Sequence, residues 1–109
     1  MVMTTFDDRE NAFEAKFAQE KDMEFMAESR RNRLLGVWGG ELMGLEQAHL
    51  EDYARAVVKT EIDRPGDEDV LRKIFEDLKG AGVQVSEADV RMKMAELMAL
   101  AREQLKSGA

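Results

Sequence analysis

The sequence predicts an all-α protein, built as a small four-helix bundle with a mobile or partly helical N-terminal arm. Alanine, glutamate, leucine, methionine, lysine and arginine dominate the 109 residues, and these are strong helix formers. Pro65 is the only proline, and there is no long β-branched run to favour a strand. Four segments carry apolar residues at helical spacing with short turns between them, which is the pattern of an antiparallel bundle.

The first predicted helix opens with a narrow aromatic stripe. Phe6, Phe13 and Phe17 are spaced 7 and 4 residues apart, so they fall within an arc of about 40° on a helix. Thr5 followed by Asp8 resembles a capping box, with aspartate in place of the usual glutamate or glutamine. The sequence then favours helix as far as about residue 44. The stripe needs a surface to pack against, either in this chain or on another protein.

A second apolar face follows the polar run at positions 19–22, and it is rotated by about 100° from the aromatic stripe. It consists of Met23, Met26, Ala27, Leu34 and Val37. One straight helix cannot bury both faces against one small core. We therefore predict an N-terminal arm at 1–18, a four-helix body at 19–106 and a disordered tail at 107–109. The alternative is a bend or local break that folds the arm back onto the body.

Three glycines surround the only tryptophan near the end of this helix. Gly36, Gly39 and Gly40 each weaken a helix by about 1 kcal/mol relative to alanine, but they also let another helix approach closely. Apolar neighbours on both sides indicate a buried helix crossing. We interpret Trp38 as the core anchor of that crossing, and the rival interpretation is a platform on which a ligand stacks.

Three further helices complete the body. They are predicted over about 46–62, over about 67–79 with Asp67 as N-cap, and from Ser86 onward, where Asp89 completes a capping box. Residues at helical spacing predict the apolar faces of these helices: Leu50, Tyr53, Ala54, Val57 and Val58; then Val70, Leu71, Ile74, Phe75 and Leu78; then Val90, Met94, Leu97, Met98, Ala101 and Leu105.

Composition limits the partners. The net charge of −7 argues against nucleic acid or an anionic membrane as a partner, because both require a positive surface. The absence of cysteine excludes disulfides and thiolate metal sites. No apolar run approaches the roughly 20 residues of a membrane span, and the first residues lack the features of a signal peptide. We expect a soluble cytoplasmic protein without membrane insertion.

The residues of an enzyme active site are missing from the sequence. His49, the only histidine, lies on the polar side of its helix and is expected on the surface. Asp63, Asp67, Glu68 and Asp69 form an acidic turn, but without the alternating spacing of a calcium loop, so they indicate a helix start. There is no glycine-rich phosphate loop and no cluster of metal-ligating residues. We predict a binding protein that is not an enzyme and holds no metal.

One dense cationic cluster is present. Arg30 and Arg33 share a helix face, with Arg31 between them, and could hold an anion such as a nucleotide phosphate. We therefore regard Arg30, Arg33 and Trp38 as candidate nucleotide-binding residues, with ATP or ADP as ligand and no other cofactor. The alternative is ion pairing with Glu28 or with acidic residues on another helix.

Residues 6–18, which read FDDRENAFEAKFA, resemble the zeta subunit, the ATPase inhibitor subunit of alpha-proteobacterial F-type ATP synthases. The resemblance continues through 30–38, 54–59, 68–73 and 90–98, so it covers nearly the whole chain with similar spacing. The family often has alanines where this chain has Gly39 and Gly40.

The resemblance implies a regulatory inhibitor whose N-terminal segment inserts into a catalytic α/β interface and blocks ATP hydrolysis. The partners it implies are the α and β subunits of the catalytic head, with the γ subunit as a further candidate. The chain would be monomeric when free and would reach the cytoplasmic face of the inner membrane through the ATP synthase. The matching positions of the inhibitory segment are Phe6, Asp7, Asp8, Arg9, Glu10, Phe13, Glu14, Lys16 and Phe17. The alternative function is an adenine-nucleotide sensor or adaptor that acts through the helical body.

Overall fold

The structure is a computed structural model that describes the backbone of residues 2–108 and the side chains of residues 19–108. Four helices follow one another along the chain: α1 (Val2–Leu42), α2 (Gln47–Asp63), α3 (Asp67–Gly80) and α4 (Glu87–Lys106). No strand occurs within residues 2–108. The predicted all-α, four-helix fold is confirmed, and the predicted ranges of the last three helices agree with it to within about two residues.

Helix α1 is much longer than the others. It has 41 residues, begins three positions before Thr5 and is unbroken at 19–22, which excludes a local break there. At 1.5 Å per residue it measures about 60 Å, whereas the 20 residues of α4 measure about 30 Å. The backbone is accordingly elongated, at 68 × 25 × 22 Å.

Helix α2 runs antiparallel to α1 and touches it through the predicted glycines. A Cβ atom at Gly36 would lie 2.6 Å from the Cα atom of Ala54, and a Cβ at Gly40 would lie 2.5 Å from Cδ1 of Leu50. Gly36 is therefore required for the observed approach, because the near atom belongs to the α2 backbone, whereas at Gly40 the end of the Leu50 side chain would have to shift. The predicted close-packed crossing is confirmed.

Helix α4 also runs antiparallel to α1. Lys93, near its start, lies over the ring of Trp38, while Arg102, near its end, pairs with Glu24. The C-terminal ends of α2 and α4 therefore lie at the same end of the body, beside residues 20–32 of α1.

The core lies between all four helices. Most residues of the predicted apolar faces of α2, α3 and α4 are buried, and the others are half-buried. Trp38 is half-buried and packs against the core, as expected of a core anchor. The buried cluster consists of Leu35, Val57, Val70, Leu71, Ile74, Leu78, Val90, Met94 and Leu97.

The predicted apolar face of the first helix is wrong at its start. Met23 and Met26 are exposed, and Leu34 and Val37 are only half-buried. Of the predicted face only Ala27 is buried, and the other buried positions of α1 in the body are Arg31, Asn32, Leu35, Gly36, Gly39 and Gly40. A search for large apolar side chains missed this face because glycines and two polar residues make up most of it.

Two helix starts show how caps fix the body. The Ser86 side chain accepts from the Asp89 backbone N–H at 3.1 Å, and the Asp89 carboxylate accepts from the Ser86 N–H at 2.9 Å, which confirms the capping box. The N-cap of α3 is Gly66, with φ +121°, rather than the predicted Asp67. Asp67 is the first helical residue, and its carboxylate accepts a hydrogen bond from Arg31 instead of capping the helix.

Candidate functional site

The predicted inhibitory segment occupies the first turns of α1, but its side chains lie outside the described residues. This applies to Phe6, Asp7, Asp8, Arg9, Glu10, Phe13, Glu14, Lys16 and Phe17. The structure gives their positions along the helical backbone, and these positions fix the register of the segment.

The register of α1 corrects the predicted relation between the aromatic stripe and the body. Phe13 and Arg31 are 18 residues apart, as are Phe17 and Leu35, and 18 residues make about five full turns. Both Arg31 and Leu35 are buried in the body. The helical backbone therefore places positions 13 and 17 in phase with two buried positions of the body, because the face that the body buries is not the apolar face that the sequence predicted.

A buried polar cluster joins α1 to the end of α2 and the start of α3. Arg31 and Asn32 are 3% and 1% exposed. The Arg31 guanidinium donates to the Glu61 carboxylate at 3.3 Å and to Asp67 at 2.8 Å, and its Nε donates to the Asn32 side-chain oxygen at 3.0 Å. The Asn32 amide in turn donates to Glu61. This confirms, for Arg31, the alternative of ion pairing with acids on another helix.

The two carboxyl groups of this cluster have opposite electrostatic environments. Burial, reinforced by the neighbouring Asp67, raises the pKa of Glu61 above its ordinary value, although Asn32 and Arg31 act against this. The hydrogen bond from Arg31 lowers the pKa of Asp67. One guanidinium thus contacts two adjacent carboxyl groups, one largely buried and one exposed.

Sequence reasoning singled out Arg31 but missed its partners, although a signal was available. Glu61 follows Leu50, Ala54 and Val57 at helical spacing, which places a carboxylate in the buried phase of α2. Arg31 stands four residues before Leu35 and therefore shares its buried face. A charged residue at a core position on each of two helices predicts a buried ion pair.

Arg30 and Arg33 line a groove of about 830 Å³ between α1, α2 and α4. Two more cations, Arg55 and Lys59, line it from α2, and no acidic residue is among its lining residues. Arg30 also donates to Gln104 at 3.5 Å. The apolar part of the lining consists of Met26, Leu34, Val58, Ile62 and Leu105. The groove joins four positive charges to an apolar wall in a chain of net charge −7.

Trp38 does not line this groove. Its ring packs against the core, and the Lys93 ammonium lies 5.8 Å from the ring centroid. The structure therefore brings Arg30 and Arg33 together but places Trp38 elsewhere. His49 is exposed, as predicted.

Two kinds of site have no basis in the described part of the chain. No group of three or more His, Cys, Asp or Glu side chains there has an arrangement that could hold a metal ion. None of the helices, over the residues described, is both long enough and apolar enough to cross a membrane.

Comparison with known proteins decides the family. The family model described as ATPase inhibitor subunit zeta matches residues 3–104. This chain belongs to that family. A zeta-family chain has an ATPase inhibitor role, which indicates a regulatory protein that interacts with ATP synthase.

The fold also has a solved counterpart. A protein whose structure was determined by solution NMR is 42% identical, with a TM-score of 0.69. The match covers 80% of this zeta-family chain and 99% of the other chain. No curated protein matches this chain.

Proposed function

We propose that this zeta-family chain inhibits ATP hydrolysis by inserting residues 1–18 into a catalytic α/β interface of the ATP synthase head. The observation that carries the proposal is the length of α1. Its 41 residues have antiparallel partners of only 17 and 20 residues, so the body has no helix long enough to cover its first half. Among the side chains that the structure describes, Glu20 is the first along α1 to line the groove between α1 and the end of α4.

The same geometry supports the proposed domains. Residues 1–18 are the inhibitory arm, residues 19–106 are the body, and 107–109 are the tail that follows the end of α4 at Lys106. Ala109 lies outside the described residues. Within residues 2–108 the body has no further helix to place against the arm, so the arm is available to a second protein, which agrees with a monomer in the free state.

The arm would act by differential affinity. The catalytic interface opens and closes during turnover, and a helix that binds one of these states stabilises it and stalls the cycle. Phe6, Phe13 and Phe17 supply the apolar contacts, and burial of one such side chain is worth about 1.5–3 kcal/mol. The charged positions Asp7, Asp8, Arg9, Glu10, Glu14 and Lys16 set the register by charge complementarity. A helical backbone at these positions lowers the ordering cost of binding.

The partners follow from this mode of binding. The arm contacts the α and β subunits of the head, with γ as a further contact if the segment reaches the central shaft. The chain then resides at the cytoplasmic face of the inner membrane through its attachment to the ATP synthase. No catalytic role of its own is part of the proposal.

A hydrolysis assay on the cognate ATP synthase head tests the mechanism. We expect the full chain to inhibit and a chain lacking residues 2–18 to lose inhibition. The triple variant Phe6→Ala, Phe13→Ala, Phe17→Ala should lose it as well, because the apolar contacts are gone. Far-UV circular dichroism must show that the body remains folded in each case. Equal inhibition by the full and the shortened chain would refute the arm mechanism.

The cationic groove favours a second function, the binding of ATP or ADP by the body. Its four cations suit the phosphates, and Arg33 and Lys59 reach it from two helices. Its apolar wall suits the adenine ring. In this proposal Arg30 and Arg33 contact the nucleotide, and Trp38 does not, because its ring packs against the core.

Nucleotide titration followed by amide chemical shifts tests this second function. We expect shifts at the groove residues that the double variant Arg33→Ala, Lys59→Ala abolishes and that Trp38→Phe leaves unchanged. Inorganic phosphate alone should give weaker shifts at the same cations. Absence of any response at millimolar ATP and ADP would remove the proposal.

A further inference from the structure

The part of α1 nearest the arm has no large apolar side chain buried in the body. Between residues 19 and 34 the buried residues are Ala27, Arg31 and Asn32. Leu35 is the first large apolar side chain of this part of α1 that is fully buried. Interlocking of large side chains is what usually fixes one helix against another, and this segment lacks it. Its position against the body therefore depends on polar contacts.

The polar cluster holds this segment against two other elements at once. The Arg31 guanidinium donates to Glu61 at the end of α2 at 3.3 Å and to Asp67 at the start of α3 at 2.8 Å. Its Nε donates to Asn32 at 3.0 Å, and the Asn32 amide donates to Glu61. A guanidinium is planar and its donors point in fixed directions, so these bonds together permit a narrow range of geometries. They restrict both the rotation and the tilt of α1 at Arg31.

The contacts of the same segment with α4 restrict it less. Glu24 and Arg102 pair at 3.0 Å, but their side chains are about half exposed, and such pairs constrain geometry weakly. The bond from Arg30 to Gln104 measures 3.5 Å, which is long for a hydrogen bond. The polar cluster is thus the buried and directional attachment of this end of α1.

Helix α1 carries this restriction into the arm, because it is unbroken from the cluster to residue 2. Positions 13 and 17 are in phase with Arg31 and Leu35, so the rotation of α1 in the body determines which way these positions face. Position 6 is 25 residues before Arg31. Over that length a tilt of about 10° at Arg31 would displace it by about 6 Å. A small change at the cluster therefore has a large effect on the arm.

We propose that Arg31, Asn32 and Glu61 are positioning residues for inhibition, because they fix the direction in which residues 1–18 leave the body. The inference rests on the proposed function. An arm that already points in one direction has less freedom to lose on binding, so the cluster raises the affinity of the whole chain for the ATP synthase head. The contacts made by the arm itself are the same with or without the cluster.

An apolar replacement of the cluster separates direction from stability. The first variant is Arg31→Met, Asn32→Leu, Glu61→Met, since well-packed apolar side chains of similar shape often replace a buried ion pair without loss of stability. Asp67 remains, because its side chain is 58% exposed. The second variant, Arg31→Lys, keeps the charge but loses the planar arrangement of donors, and it decides the question if the first variant unfolds.

The matched control is Tyr53→Phe. The Tyr53 hydroxyl donates to Asp77 at 2.7 Å, so this variant removes a partly buried polar contact between α2 and α3 and keeps the ring. It leaves the polar contacts of α1 intact.

Spin labels report the direction of the arm. The natural chain has no cysteine, so Asn11→Cys and Glu103→Cys give one label in the arm, outside the proposed contact residues, and one on the exposed surface of α4. The distance between the labels is measured by double electron–electron resonance on the chain bound to the cognate head. We expect a narrow distribution in the natural background and in Tyr53→Phe, and a distribution wider by about 5 Å in both cluster variants. In the hydrolysis assay the cluster variants should inhibit about three- to tenfold more weakly, and Tyr53→Phe should inhibit like the natural chain.

The outcomes separate this proposal from the proposed function. Equal distributions in the natural background and in the folded cluster variants overturn the positioning role, and so does a wider distribution with unchanged inhibition. Equal widening in Tyr53→Phe also overturns it, because any lost polar contact would then loosen α1. Equal inhibition by the natural chain and the chain lacking residues 2–18 overturns the arm mechanism instead, whatever the distances show.

Discussion

The two ends of the body are held to α1 by different forces. At the end near Leu42, glycines bring the α2 backbone to within contact of α1, and the crossing is apolar. At the end near the arm, the contact depends on a buried arginine, an asparagine and two carboxylates, and large apolar side chains are exposed to solvent. The glycine contacts at the first end involve no charged side chain, whereas the contact at the second end depends on ionised groups.

The two ends of the body part of α1 are therefore stabilised by different interactions. The glycine crossing is stabilised by packing within this chain alone. The end near the arm leaves apolar surface uncovered and uses charge to fix α1 against the turn between α2 and α3. The polar cluster thus fixes this end of α1 without covering the apolar side chains beside it.

Replacement of Arg31 should have the largest effect on stability, because it removes the cation of the polar cluster. Arg31→Ala leaves Glu61 buried beside Asp67 without a cation, and loss of one partner of a buried ion pair costs about 3 kcal/mol or more. Arg33→Ala is the matched control, since Arg33 is exposed and its removal should change stability by less than about 0.5 kcal/mol. Urea unfolding followed by Trp38 fluorescence measures both. Similar stability of the two variants would contradict the structural role of Arg31.

Replacement of Gly36 should disrupt the close contact between α1 and α2. A Cβ at this position would lie 2.6 Å from the Ala54 backbone, so the two helices must move apart in Gly36→Ala. Such overpacking costs about 1–3 kcal/mol and outweighs the helix propensity of about 1 kcal/mol gained by alanine. We expect a net loss of up to about 2 kcal/mol in the free energy of unfolding.

Gly39 provides the control for this substitution. The nearest atom to a Cβ there is Cδ1 of Ile74 at 3.6 Å, which is ordinary contact. Gly39→Ala should therefore leave stability unchanged or raise it by up to about 1 kcal/mol. Equal losses for both glycines would mean that helix contact is not the cause.

These two ends also differ in how far the sequence predicted them. The crossing was predictable because glycines beside Trp38 weaken an otherwise strong helix, and a close approach of another helix compensates for that weakness. The capping box at Ser86 was predictable because its signal is local. The face that α1 buries was not, because glycine, arginine and asparagine do not register as apolar positions in a periodicity search.

The candidate sites show the same limit. Sequence spacing placed Arg30 and Arg33 together, and they do line one groove. It could not separate Trp38 from them, because that depends on how α1 and α4 pack. The acidic partners of Arg31 come from α2 and α3, and only the fold brings these helices together.

The pH dependence of folding stability should be a smaller effect of the polar cluster. The pKa of Glu61 is raised in the folded chain by burial, so the stability linked to this group is present in full below its ordinary pKa of 4.5 and is lost as the pH rises through the folded pKa. The pKa of Asp67 is lowered by Arg31, so its contribution is present above 3.8 and is lost as the pH falls further. Stability should therefore rise on acidification from neutral pH towards 4.5 and fall below 3.8.

Glu61→Gln isolates the contribution of the cluster. A chain of net charge −7 gains some stability on acidification from reduced self-repulsion alone, and the variant retains this general effect. It should lose the additional rise that the Glu61 carboxyl provides, so its melting temperature should depend less on pH between neutral pH and 4.5. Parallel curves for the natural chain and the variant would exclude Glu61 as the source.

The ion pair between Glu24 and Arg102 should have the smallest effect on stability, although it lies nearest the arm. Both side chains are about half exposed, so their coupling in a double-mutant cycle should be less than about 0.5 kcal/mol and should weaken with salt. Its expected effect is on geometry, because it is an ion pair that joins α4 to α1 beside the exposed side chains of Met23 and Met26. Arg102→Ala should therefore increase hydrogen exchange at residues 20–26 of α1 with little change in the unfolding midpoint. Unchanged exchange there, or an increase that extends to the glycine crossing, would show that the two ends of α1 are not held independently.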